Sequence, residues 1–344
     1  MSSRSISLQD VATRAVKLAT LRPVLAGAGL AVIGFLAIQV GPEAIWSAFR
    51  TLSWRLGLIL VFPTCLAVVV DTFGWRFTFP TPPRSFGRLF AARLAGEAVN
   101  LGTPTASVGG EPVKAYLLRP EVPLRDGLAS VVVDKTTGVV AQVLLLLVGI
   151  LVGSGLLSVP RSLTLGLSGA LIVEVLCVAG FVIVQLRGAL GGGGRLLAKL
   201  RLPPSRERQA TLEGMDRALR SIYVGNARRL AASTLCHFVG FTLGTLEIYL
   251  VVRLLGIPIS LTTAFTIGAF GTAVKFFSFM LPASLGALEG ANVALFAAFG
   301  LPGALGLTYT LVRRLREIAW IAIGVLALNL MSSRPAPPVA RDAS

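Results

Sequence analysis

Between Leu163 and Leu186 the chain carries a single charged residue, Glu174. The hydrocarbon core of a bilayer, about 30 Å thick, takes about 20 apolar residues per helical crossing. Only helices and closed barrels satisfy their backbone groups inside it, so a run like this one reads as a membrane span. Comparable runs occur at Val24 to Val40, Leu56 to Val70, Gly127 to Leu157, Ala231 to Leu255, Leu261 to Met280 and Thr308 to Leu330. They predict an all-α fold, a polytopic transmembrane helical bundle of about seven spans plus two broken or re-entrant helical segments. With 54% hydrophobic and only 14% charged residues, against about 25% charged in soluble domains, a soluble fold is excluded.

The 32 Lys and Arg outweigh the 16 Asp and Glu by a net charge of +16. These basic residues lie between the hydrophobic runs rather than on a stripe interleaved with aromatics, so nucleic acid is not the expected partner. The excess instead marks the cytoplasmic side and an attraction to anionic lipid. Residues 187–229 read as a basic cytoplasmic loop with Gly191 to Gly194 as its hinge. Residues 1–22, with Arg4, Arg14, Lys17 and Arg22, read as a cytoplasmic segment before an uncleaved first helix. Residues 23–330 then form the membrane domain, and 331–344, rich in Pro and Ala, a disordered tail. Asp71 is read as the end of the second span, with Trp75-Arg76-Phe77 at the membrane–water interface. Cys65, Cys177 and Cys236 lie in apolar runs without CxxC spacing or a histidine cluster. Neither a disulfide, a metal nor a cofactor is expected from them.

Two segments break the pattern. Residues 96–118 place Glu97, Asn100, Glu111 and Lys114 in a stretch long enough to enter the membrane, interrupted by Gly102, Pro104, Gly109, Gly110 and Pro112. The second, Phe276 to Leu301, contains Pro282, Gly286, Glu289 and Gly290. Broken backbone at membrane depth is tolerated only where protein or a watery cavity satisfies the freed groups. Pro104 to Glu111 and Pro282 to Glu289 are equally spaced, and Ala98-Val99-Asn100 and Ala273-Val274-Lys275 precede the two prolines. Interrupted segments in corresponding halves point to a transporter site built from an internal repeat.

Ionisable residues inside spans cost about 2.5–3.5 kcal/mol each at mid-helix, so they face a bundle interior and find partners. Glu97, Glu111, Lys114, Asp134, Lys275, Glu289 and Arg313 are, with Asn100, the candidate substrate-binding residues. Adjacent on a helix, Asp134 and Lys135 project differently and are not expected to pair, whereas Arg313 and Glu317, four apart, are. Glu174, His237 and Glu247, isolated in apolar helices, are left outside the site.

The pieces Gly96-Glu97-Ala98-Val99-Asn100, Gly109-Gly110-Glu111, Ala129-Ser130-Val131-Val132-Val133-Asp134-Lys135, Leu281-Pro282 to Gly286, Glu289-Gly290 and Arg313-Arg314-Leu315-Arg316-Glu317, in this order and spacing, resemble the lysylphosphatidylglycerol synthase transmembrane-region family of flippase-like integral membrane proteins. Within it the chain looks most like the branch associated with hopanoid biosynthesis, departing from it at Leu101-Gly102-Thr103-Pro104. The resemblance implies a multi-pass protein of the bacterial inner membrane that moves a hopanoid or phospholipid. Membrane lipids would be its ligands and lipid-biosynthesis proteins its partners. Full-length synthases add a soluble aminoacyl-transfer domain, for which no room is expected after Leu330. The sequence has no GxxxxGK[ST] loop and offers no nucleophile–base pair, so an enzyme acting on head groups is the weaker alternative. A scaffold or accessory subunit of a lipid-biosynthesis complex is the other, since the basic loop would dock an acidic partner.

Overall fold

The computed structural model describes residues 61–102, 109–157, 159–188, 206–278 and 286–333, with a few positions between 43 and 59. In chain order the described helices are α1 (Thr64–Phe77), α2 (Phe86–Gly102), α3 (Gly110–Leu117), α4 (Leu124–Leu156), α5 (Arg161–Leu186), α6 (Arg206–Tyr223), α7 (Ala227–Leu254), α8 (Leu261–Phe277), α9 (Ala287–Ala298) and α10 (Gly303–Ser333). Among the described residues five helices are long and apolar enough to cross a membrane, namely α4, α5, α7, α10 and the helix from Gly57 through α1. The expected span at Val24 to Val40 lies outside the described residues. The stretch expected as a span from Leu261 to Met280 is the 17-residue helix α8, about 25 Å long at 1.5 Å per residue.

Local sequence sets the helix boundaries. Pro123 and Pro160 stand at the N-caps of α4 and α5, where a missing backbone N–H costs nothing and a preceding residue cannot extend the helix backwards. Ser260 caps α8 by accepting from the Thr263 N–H at 3.0 Å. Gly286 precedes α9 with φ +79°, a left-handed conformation that a side chain would strain.

The packing repeats. The helices α1 to α4 and α7 to α10 each run span, short helix, short helix, span, and the same neighbours touch in both sets: α1 with α2 as α7 with α8, α2 with α3 as α8 with α9, α3 with α4 as α9 with α10. Across the sets α2 packs on α10 as α8 packs on α4, while α1 lies against α7. Glycine permits the two cross-contacts. A Cβ on Gly149 of α4 would lie 2.5 Å from the Ala269 side chain, and one on Gly324 of α10 would strike the Leu94 carbonyl. Gly149 and Ala269 correspond to Gly324 and Leu94 by exchange of the halves under one constant shift in sequence. Small residues at such crossings let membrane helices approach closely enough for dispersion to hold them.

Trp75, Phe79, Leu89, Leu118 and Val131 form the core of the first set, and Ile150, Val252, Ile267, Phe270, Phe296 and Val312 that of the second together with α4. Outside them, α5 exposes Leu165, Ile172, Leu176 and Phe181, an apolar face that suits lipid contact.

Three expectations are corrected. Asp71 does not end a span, because α1 continues to Phe77. Trp75 is fully buried and donates to Ser130 Oγ at 3.3 Å, so its ring packs inside the protein rather than against lipid head groups. Residues 187–229 are not one loop, since α6 fills 206–223 and buries Leu219 and Ile222 beside Ala129 and Val133 of α4. Burial there pushes the Tyr223 hydroxyl's pKa up, against hydrogen bonds with Thr136 and Gln185 that lower it. Residues 1–22, Gly191 to Gly194 and 334–344 lie outside the described residues.

Candidate functional site

Where the two sets meet, a cavity of about 460 Å³ is lined by α1, α2, α4, α7, α8, α9 and α10. Its walls combine apolar residues such as Leu94, Val139 and Ile267 with five carboxylates (Asp71, Glu97, Asp134, Glu247, Glu317), five basic residues (Arg93, Lys135, Lys275, Arg313, Arg316) and His237. That volume lies within the range of small-molecule sites, about 300–1,000 Å³.

The first charged group joins α2, α3 and α4. Lys114 of α3, whose side chain is 1% exposed, donates to Glu97 at 2.6 Å and to Glu111 at 3.2 Å. Lys135 reaches Glu111 from α4 at 2.8 Å. Asn100 donates to the same Glu111 oxygen at 2.8 Å and accepts from the Gly110 N–H at 2.7 Å. The start of α3 is thus tied to α2 at the break between them. A Cβ on Gly110 would collide with the Gly96 carbonyl, and one on Gly96 with the Lys114 side chain. Glycine at both positions lets the lysine lie between the two helices.

The second group joins α1, α2, α4 and α7. His237 Nδ1 lies 2.9 Å from Asp71 Oδ1, and Nε2 lies 2.9 Å from Asp134 Oδ1. Two carboxylate oxygens on the two ring nitrogens are satisfied together only by the imidazolium, which donates from both. Arg93 adds 3.4 Å to Asp134, 3.9 Å to Asp71, and a hydrogen bond to the Asp71 carbonyl at 3.0 Å. Gly240 makes room, since a Cβ there would stand 2.5 Å from Asp71 Oδ1.

The third group lies on α9 and α10. Arg314, 2% exposed, bonds Glu289 and Glu317, each at 2.8 Å. Arg313 pairs with Glu317 at 3.1 Å. A separate pair, Arg316 with Glu247, joins α10 to α7. With His237 charged, every one of these groupings balances its own charge. Lys275 of α8 stands apart: it is exposed on the cavity wall and its side chain has no ion pair or hydrogen bond among the described residues.

The eight residues singled out from the sequence fall into two layers. Glu97, Asp134, Lys275 and Arg313 line the cavity, whereas Asn100, Glu111, Lys114 and Glu289 pack behind it and hold the liners. Asp134 and Lys135 turn to different partners, and Arg313 and Glu317 pair along one face. Sequence reasoning passed over three liners, Asp71, His237 and Glu247, together with Arg93 and Arg316. Asp71, His237 and Glu247 stand apart from other charges along their runs, and the available signal was the cost of any lone charge in a span, whereas Arg316 lies within Arg313-Arg314-Leu315-Arg316-Glu317. Glu174 is buried with neither carboxylate oxygen bonded, away from the cavity.

The glycines of the breaks differ in function. Gly109 and Gly286 are the N-cap residues of α3 and α9, and Gly102 ends α2; Pro104 and Pro282 lie outside the described residues. A Cβ on Gly290 would meet nothing within 4 Å. Gly110→Ala is therefore expected to destabilise by about 1–3 kcal/mol through overpacking. By contrast, Gly290→Ala is expected to be neutral or to stabilise by up to about 1 kcal/mol through helix propensity. Thermal unfolding of both variants in micelles checks the contrast, and equal shifts would contradict the close approach of α2 and α3.

A family model described as the lysylphosphatidylglycerol synthase TM region matches residues 16–324. A UPF0104 membrane protein of Methanothermobacter thermautotrophicus is 25% identical over 89% of this chain and 96% of its own length. Another, from Pyrococcus horikoshii, is 23% identical over 88% and 95% respectively. No solved structure matches the chain.

Proposed function

Because the chain belongs to the lysylphosphatidylglycerol synthase transmembrane-region family, we propose that this multi-pass membrane protein is a lipid translocator. The observation that carries the reading is the charge-lined cavity between the two helix sets, four of whose lining helices are long and apolar enough to cross the bilayer. The barrier to moving a lipid between leaflets is desolvation of its head group. A wall of fixed charges and hydrogen-bonding groups substitutes for water along the way, while the acyl tails stay in lipid.

Transport rather than head-group chemistry fits the wall. His237, the chain's single histidine, has both nitrogens on carboxylates and neither on a hydroxyl or thiol, so it activates no nucleophile. The lipid is a hopanoid or a phospholipid and the membrane a bacterial inner membrane, as the resemblance to the hopanoid-associated branch implies. Proteins of lipid synthesis would supply or receive that lipid.

Two glycines offer a test that spares the packing. Gly244 and Gly271 line the cavity, and a Cβ on either meets nothing within 4 Å. Gly244→Leu and Gly271→Leu should fill the cavity and reduce protein-dependent leaflet exchange of labelled lipid in liposomes about tenfold or more, equivalent to about 1.4 kcal/mol, without lowering thermal stability. Exchange at the wild-type rate in both variants would contradict passage through this cavity.

A further inference from the structure

We propose that Lys275 is the phosphate-binding residue of the cavity and that the head group it holds is anionic. The inference rests on the transport reading above and deepens it by naming the lipid's charge. Its basis is the imbalance of the wall. The charged groupings around the cavity each close on themselves, leaving Lys275 as a surplus cation among the described residues. The formal charges acting most strongly on it, Arg313 and Glu317, are opposite in sign and already engaged with each other.

Position supports the assignment. Lys275 lies on the last turn of α8, just before the break that separates α8 from α9. Its helix buries Ala269, Phe270 and Ala273, yet the ammonium is exposed to the cavity rather than folded against a carboxylate. With none of its three donors engaged among the described residues, this ammonium is set to meet an anion. Lysine acts on phosphate as a point charge that tolerates different approach geometries, which suits a head group in transit. Among membrane lipids the phosphodiester is the anion that would meet it. A head group carrying a cationic substituent would bring its added charge toward an unbalanced positive site, and a neutral one would leave Lys275 unpaired.

The test is calorimetric titration of the purified full chain in a non-ionic, phosphate-free detergent with short-chain phosphatidylglycerol, lysylphosphatidylglycerol, diacylglycerol and inorganic phosphate. Phosphatidylglycerol should bind most tightly, with Lys275→Met raising its Kd about tenfold or more and Lys275→Arg keeping it within about threefold. Diacylglycerol and lysylphosphatidylglycerol should bind more weakly, and Lys275→Met should leave the diacylglycerol Kd unchanged. Displacement of phosphatidylglycerol by inorganic phosphate would identify a subsite for phosphate as such; no displacement would identify the lipid as its source. A phosphatidylglycerol Kd within about twofold of wild type in Lys275→Met, with unchanged thermal unfolding, overturns the proposal, as does diacylglycerol binding as tightly as phosphatidylglycerol. Residue-275-dependent binding in a protein that shows no leaflet exchange keeps the subsite and overturns transport. Exchange with binding indifferent to residue 275 does the reverse.

Discussion

Replacing Lys114 by methionine should lower the unfolding free energy by about 3–5 kcal/mol, the loss seen when one partner of a buried ion pair is removed. The lysine side chain is 1% exposed and joins two carboxylates from different helices. Without it, Glu97 and Glu111 face one another across the α2–α3 break with Lys135 as the remaining cation. Lys135 itself is 44% exposed at the side chain, so Lys135→Met should cost about 1 kcal/mol or less. Denaturant titration in mixed micelles measures both. The double change Lys114→Met with Glu97→Gln should regain part of the loss, because it removes the carboxylate that the first substitution orphans. Similar effects at Lys114 and Lys135 would contradict the burial that separates them.

His237→Ala is expected to cost on the order of 3 kcal/mol, since it removes two hydrogen bonds to charged groups worth about 1.5–3 kcal/mol each. It leaves Asp71 and Asp134 sharing Arg93 alone. The imidazole spans α1, α4 and α7, so its loss should loosen the junction of the two helix sets more than a substitution within one set. Adding Asp71→Asn to His237→Ala should recover at least about 1 kcal/mol by relieving the orphaned charge. Unfolding of the single and double variants measures this by a mutant cycle. If the second substitution recovers nothing, the imidazole acts by filling space and the charge argument fails.

These two residues mark the range of what was legible in the sequence. Lys114 stood out because it shares a short stretch with Glu97, Asn100 and Glu111, interrupted by several glycines and prolines in close succession. The partners of such a cluster are close along the chain, and the break itself announces a place where backbone needs other support. His237 gave no such sign. Its two partners lie 166 and 103 residues away, on two other helices. The seam between α8 and α9 was legible for the same reason as that between α2 and α3, whereas α6 was missed because its polar composition resembled a loop.

The amino-acid sequence by itself determined that the chain is helical, that it lives in a bilayer, and where its helices are interrupted. Hydropathy, proline and glycine act locally, within a turn or a span, and need no knowledge of neighbours. Tertiary structure alone decided which charges line the cavity and which are sealed behind it. It also decided that the Lys275 side chain, similar in sequence terms to that of Lys114, has no ion pair among the described residues. Pairing between helices depends on how each is rotated and which helix it meets, and glycines such as Gly96, Gly110 and Gly240 set those approaches at close range.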